Sequence, residues 1–198
     1  KRVGKLAEDL TLETRSGLPE AWRFMLVDYP PDSWLSHTAL GEHARFWLSV
    51  HRHFRMMGSH LTSLTSDFRE GQMTPEKFRT TLAPRLQQFL GTLDHHHRIE
   101  DHHFFPLFMA AEKRLVKGIE LLEEDHHTID AEIHNMVTAA NALLQTDGTN
   151  AENLKVTGNN FADTSERIVK LLHRHLDDEE EIVVPIMLDR GEVELMGG

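Results

Sequence analysis

LDHHHRIEDHHFFPLF, residues 93–108, carries five histidines and two acids between His95 and His103, with a phenylalanine pair and a proline directly behind. Taken alone, this is a polar helix face or an accident of composition. A second, sparser copy gives it meaning. His96-x-x-x-Glu100 is followed by Pro106, and His175-x-x-x-Glu179 is followed by Pro185 at the same offset. Phe104-Phe105 and Val183-Val184 precede the two prolines, and Leu90 and Leu93 correspond to Val169 and Leu172. This is an internal repeat of a helical unit.

Helix geometry explains the spacing. Residues four apart stack on one face, so each His–Glu pair points in one direction. Both pairs fall in register with leucines and isoleucines, so that direction is the interior. A lone ionised carboxylate there costs several kcal/mol or is driven to its neutral form. Cations held between facing helices remove that penalty.

Outward from the repeat, the chain reads as four amphipathic segments. The first runs from about His37 to Phe68, with Trp47, His51, Phe54, Gly58, Leu61 and Leu64/Thr65 at three-or-four spacing. The second starts after Thr74 as N-cap and Pro75 as first helical residue. Pro84 kinks it or opens a new helix. Leu86, Leu90, Leu93, His96/His97, Glu100, His103 and Leu107 share its face until Pro106 stops or bends it. The third runs from about Lys113 to Gln145 over Leu115, Ile119, Leu122, His126, Ile129, Ile133, Met136/Val137 and Leu144. After a turn at 146–153 with Asn150 as N-cap, the fourth runs to about Val184. Four such segments with short connections predict an all-α fold, an antiparallel four-helix bundle, over 37–190. Residues 1–36 form an N-terminal extension, with a short helix at 21–27 and a proline-broken link at 28–33. Residues 191–198 form a tail.

The same face argument sorts the remaining histidines. His126 lies on the stripe of Ile119, Leu122, Ile129 and Ile133, whereas His127 lies with Glu120, Glu123, Glu124 and Asp130. His175 faces inward, while His173 sits among Glu166, Lys170, Asp177 and Glu180. His51 shares the row of Trp47, Phe54 and Leu61. His95 and His102 are solvated, and Asp177–Glu181 form a solvated run apart from Glu179. The candidate metal ligands are therefore His51, His96, His97, Glu100, His126, His175 and Glu179, with His97 as the fifth imidazole. His43 and His103 lie near the stripe as further donors or outer partners. These ligands suffice for two metals, with Glu100 and Glu179 as bridges. Mixed nitrogen and carboxylate donors suit iron best, then manganese or zinc. The Met56-Met57 pair and Met136 read as packing residues.

On these residues the chain resembles the hemerythrin-like family, the HHE cation-binding domains. Their pattern is a histidine on the first helix, H-x-x-x-E with a following proline on the second, a histidine on the third and H-x-x-x-E on the fourth. The resemblance covers roughly Gly41 to Leu188 and implies His51, His96, Glu100, His126, His175 and Glu179 as ligands of a non-haem di-iron centre. Two positions separate this chain from the oxygen-carrying hemerythrins. Asp130 stands where those proteins repeat a histidine on the third helix, and the fourth-helix pair is H-x-x-x-E where theirs is H-x-x-x-x-D.

Composition bounds the function. With 198 residues, 39% hydrophobic and 27% charged, the chain is long enough for a full core without staples. No cysteine means no disulfide, iron–sulfur cluster or thiolate zinc site. A formal charge of −11 argues against nucleic acid, and no apolar run suits a bilayer. Fifteen histidines suit metal or proton chemistry. The expectation is a cytoplasmic, metal-binding protein, more a binder or sensor than an enzyme. It binds dioxygen, nitric oxide or a related small molecule, or handles iron. The alternative is a di-iron oxidase or peroxidase, because Glu100-x-x-His103 and Glu123-x-x-His126 echo the ferritin-like E-x-x-H pattern.

Overall fold

Runs of Leu, Ala, Glu, Arg and Met, separated by Gly, Pro, Asn and Thr, favour helices with defined ends. The computed structural model describes residues 10–196. Among these the chain is helical throughout, with no strand: α1 Glu42–Arg69, α2 Pro75–Ile99, α3 Phe105–Ala111, α4 Val116–Gln145, α5 Ala151–Arg190 and α6 Glu192–Met196. The expected four long helices are joined by two short ones. A π-helical turn, Glu100–Phe104, links α2 to α3. No helix of the described residues is long and apolar enough to cross a membrane.

The caps follow local chemistry. Thr74 Oγ1 accepts from the Lys77 N–H, and Asn150 Oδ1 accepts from the Asn153 N–H. Helix α1 lacks a cap of its own, and α6 provides one. The two carboxylate oxygens of Glu192 accept from the backbone N–H groups of Ala44 (2.7 Å) and His43 (3.1 Å). A Cβ on Gly41 would collide with that carboxylate, so the close approach needs glycine there.

Helix α5 packs along both α4 and α1, and α1 packs along α2. Two apolar clusters fill the interior. One contains Phe54, Leu61, Leu93, Phe89, Ile129 and Leu172. The other contains Trp47, Phe105, Phe108, Leu122, Ile182 and Ile186. Each fully buried Leu, Ile or Phe contributes roughly 1.5–3 kcal/mol. Between the two clusters lies a polar layer. His51 falls between Trp47 and Phe54, His126 between Leu122 and Ile129, and His175 with Glu179 between Leu172 and Ile182.

Several expectations change. The sequence stripe continues from Glu100 to His103 and Leu107, but both of those side chains are exposed, and Phe105 and Phe108 are buried instead. The π turn adds a residue to the helical repeat and rotates the face behind it. Helix α5 runs through Pro185 to Arg190, past the expected end near Val184, and α2 runs through Pro84. The region 21–36 forms two 3-10 turns, Phe24–Val27 and Pro31–Ser36. Leu12 joins one apolar cluster, and Leu18, Met25, Trp34 and Leu40 join the other, so the N-terminal segment takes part in the core.

Candidate metal centre

The H-x-x-x-E pairs of α2 and α5 face each other across the polar layer, and α1 and α4 supply the other sides. Two groups of donors lie close enough to hold cations: His51, His96, Glu100 and Glu179 in one, and His97, His126 and His175 in the other. Both carboxylates reach toward both groups. Glu100 Oε1 lies 2.7 Å from His96 Nε2, and its Oε2 lies 3.6 Å from His126 Nε2. Glu179 Oε1 lies 3.3 Å from His51 Nε2, and its Oε2 lies 3.2 Å from His175 Nε2. The structure thus brings all seven sequence-predicted donors together. His43 and His103 do not join them: His43 is exposed and turned to Glu192, 3.2 Å away, and His103 is carried outward by the π turn. His127 is exposed, and His173 is half-buried away from the donors.

Three imidazoles are oriented from behind. His51 Nδ1 meets Glu180 Oε1 at 3.0 Å, His126 Nδ1 meets Asp101 Oδ1 at 2.7 Å, and His175 Nδ1 meets Asp125 Oδ2 at 3.2 Å. An outer carboxylate that accepts a hydrogen bond from Nδ1–H leaves the Nε2 lone pair facing inward, the arrangement found behind metal-ligating histidines. The inner nitrogens crowd together accordingly. His51 and His96 Nε2 are 3.2 Å apart, and His126 and His175 Nε2 are 3.1 Å apart.

Inside the layer, hydrogen bonding is incomplete. Both ring nitrogens of His97, both oxygens of Glu100 and Oε2 of Glu179 are buried without a hydrogen-bond partner. The short approach of His96 to Glu100 is a close contact of opposite polarity whose angles do not make a hydrogen bond. Unpaired buried polar atoms each cost roughly 1–3 kcal/mol, and carboxylate oxygens more. Cations among these atoms would satisfy the carboxylate oxygens and one ring nitrogen of His97, so the residues fit a metal. The nitrogen and carboxylate donors suit iron, manganese or zinc.

The metal-free electrostatics point the same way. Burial pushes His51 toward its neutral form, but Glu179, Glu100 and Glu180 more than offset it and hold its pKa well above the ordinary value. For His175, burial is likewise overcome by Asp125 and Glu179, and the pKa is raised to about 9. Burial of Glu179 is outweighed by His51 and His175, which hold its pKa well below the carboxylate range. His97 goes the other way, because burial and the neighbouring His126, His175 and His96 all disfavour its charged form. Protons on His51 and His175 therefore stand in the positions that cations would take.

Several participants escaped the sequence reading. Trp47 stands on the apolar row of Phe54 and Leu61, yet its indole N–H donates to Glu179 Oε1 at 2.6 Å. Asp178, assigned to a solvated run, is completely buried. It accepts from Arg174 Nη2 (2.6 Å) and from Arg15 Nε (2.8 Å). Asp125 is buried as well, and the helical period could have found both: Leu122, Asp125 and Ile129 share one face, as do Leu171, His175, Asp178 and Ile182. No periodic signal marks Arg15.

The hemerythrin HHE cation binding domain family matches residues 43–187, a span containing every donor named above. Comparison with curated proteins and with solved structures gave no match. The family match covers most of the chain, and with it the chain belongs to the hemerythrin HHE cation-binding domain family.

Proposed function

We propose that the chain is a non-haem di-iron protein of the hemerythrin-like class, and that it binds or senses dioxygen, nitric oxide or a related small molecule, or handles iron. The observation that carries this reading is the pair of carboxylates, Glu100 and Glu179, each with one oxygen toward each of two histidine groups. In this reading His51, His96, His97, His126 and His175 would hold the two metal ions together with Glu100 and Glu179, whose carboxylates face both histidine groups. The four long helices form an antiparallel bundle from Glu42 to Arg190, onto which residues 10–36 pack. Iron is preferred, with manganese or zinc as the other metals that this donor set accepts.

Bound iron would supply redox-active positions that a small neutral molecule can occupy. The chain's own residues do the rest. Glu180, Asp101 and Asp125 hold Nδ1 protons and so fix three rings. Trp47 holds one oxygen of Glu179. Trp47, Phe54, Leu93, Ile129 and Ile182 are buried around the layer and exclude bulk water. His96, half-buried, is the donor nearest solvent, so a small molecule approaches from its side. Displacement of His103 from the layer removes one of the two E-x-x-H pairs behind the ferritin-like alternative.

The test is elemental analysis and an optical spectrum of the untagged protein after iron loading, followed by titration of the ferrous form with dioxygen and nitric oxide. Two irons per chain and a reversible spectral change are expected. Sustained oxygen consumption with a reductant and formation of product would assign the oxidase alternative. Absence of metal above background after loading would end the metal reading.

A further inference from the structure

The N-terminal arm places one cation deep among acids. Arg15 is 7% exposed, and its guanidinium is engaged on every nitrogen. Nε donates to Asp178 Oδ2 at 2.8 Å, Nη1 donates to Asp125 Oδ1 at 2.8 Å and to the Leu10 carbonyl at 3.0 Å, and Nη2 donates to Asp125 Oδ2. The same Asp125 Oδ2 faces Nδ1 of His175 at 3.2 Å. A second bond pins the arm, from Arg174 Nη1 to the Ser16 carbonyl at 3.0 Å. Arg174 also holds Asp178.

The fork geometry matters. A guanidinium that bonds both oxygens of one carboxylate fixes its plane as well as its position. With its plane fixed, Asp125 can accept the Nδ1 proton of His175 in one direction only, and the His175 ring is fixed in turn. The other two oriented rings are held differently. Glu180, behind His51, is held by Arg55 of α1 at 2.7 Å, within the region of the family match. Asp101, behind His126, is half-buried and meets no arginine among the described contacts. Among the described residues, only the His175 side depends on a segment outside the family match.

We propose that Arg15 is a positioning residue of the metal centre: through Asp125 it fixes the ring of His175, and docking of the N-terminal arm is thereby coupled to retention of metal. The inference rests on the metal reading above. Coupling is reciprocal, so metal held by His175 also tightens the arm.

The test uses the full chain loaded anaerobically with ferrous iron, then challenged with a chelator. Arg15→Ala removes the fork. Arg15→Lys keeps a cation in the folded protein but lacks the planar fork that fixes the plane of Asp125. Both are expected to release iron about 10-fold faster than wild type, the lower end of the affinity loss for lost outer partners of metal ligands, because Arg15 acts through such a partner. In the cobaltous protein, Arg15→Lys is expected to change the ligand-field bands while the helical circular dichroism stays intact. Leu12→Ala loosens the packing of the arm without removing the fork, so by the same coupling it should release iron faster than wild type but more slowly than Arg15→Ala. Amide exchange over residues 10–18 should slow on iron loading of the wild type. Wild-type release rates in both Arg15 variants would overturn the proposal. So would Leu12→Ala accelerating release as much as Arg15→Ala does. A wild-type chain that takes up no iron would remove the metal reading, and this inference with it.

Discussion

Trp47 donates its indole N–H to Glu179 Oε1 at 2.6 Å, joining α1 to α5 across the polar layer. The ring also packs edge-on against Phe104, with centroids 5.0 Å apart, so the donor is held in place by apolar contact. Trp47→Phe keeps most of that packing and removes the donor. A hydrogen bond to a charged group is worth about 1.5–3 kcal/mol, so the metal-free variant should lose stability of that order. The loaded variant should lose less, because a cation can take up the freed oxygen. Urea unfolding of both forms checks this, and equal losses would contradict it.

Glu100→Ala and Glu179→Ala each remove a carboxylate that faces both histidine groups. Metal content should fall from two per chain to one or fewer. His127→Ala changes an exposed side chain and should leave metal content unaltered. Elemental analysis of the three variants decides. Full metal content in either glutamate variant would refute the bridging roles.

Metal loading should stabilise the fold without being needed for it. The apolar clusters on either side of the polar layer contain no metal-ligating residue, so the chelated protein should keep its helical circular dichroism. Anything that binds only the native state adds RT ln(1 + [L]/Kd), about 2.7 kcal/mol at a hundredfold excess over Kd. Melting scans at increasing ferrous iron should show a rising midpoint. A chelated chain that loses its helices would instead make the metal a structural prop.

The metal-free protein should have a stability maximum near the ordinary histidine pKa. His175 is raised to about 9, so its contribution is complete below its unfolded value of 6.5 and is lost as pH rises through 9. Between these values the loss is on the order of 3 kcal/mol. His97 is depressed well below 6.5, so its neutral burial becomes costly as pH falls below that value. Glu179, held low, adds its own loss under more acid conditions. Bound metal replaces the proton on His175, so the alkaline decline should vanish on loading. Melting curves across neutral and alkaline pH, with and without metal, read this directly. A metal-free midpoint that holds steady through pH 9 would contradict the His175 ion pairs.

Much of the centre could be read from helix periodicity because a four-residue step leaves no freedom about which face a side chain takes. His51, His126, His175 and the two glutamates lie in register with buried leucines and isoleucines, and all are buried. The same rule misled at His103 and Leu107, because it assumes an unbroken α-helix and the π turn at Glu100–Phe104 inserts a residue. Asp178 sits in an acidic run that reads as solvated, although its register with Leu171, His175 and Ile182 points inward.

The sequence by itself determined that the chain is helical, which faces are apolar, and which imidazoles and carboxylates point inward, because these follow from the near-neighbour geometry of a helix. Tertiary structure alone decided how those groups are held. Arg15 meets Asp125 and Asp178 across 110 and 163 residues of chain, and Trp47 meets Glu179 across 132. Partners so far apart in sequence carry no periodic signature. Burial selects them, because a desolvated carboxylate must find a donor wherever packing brings one.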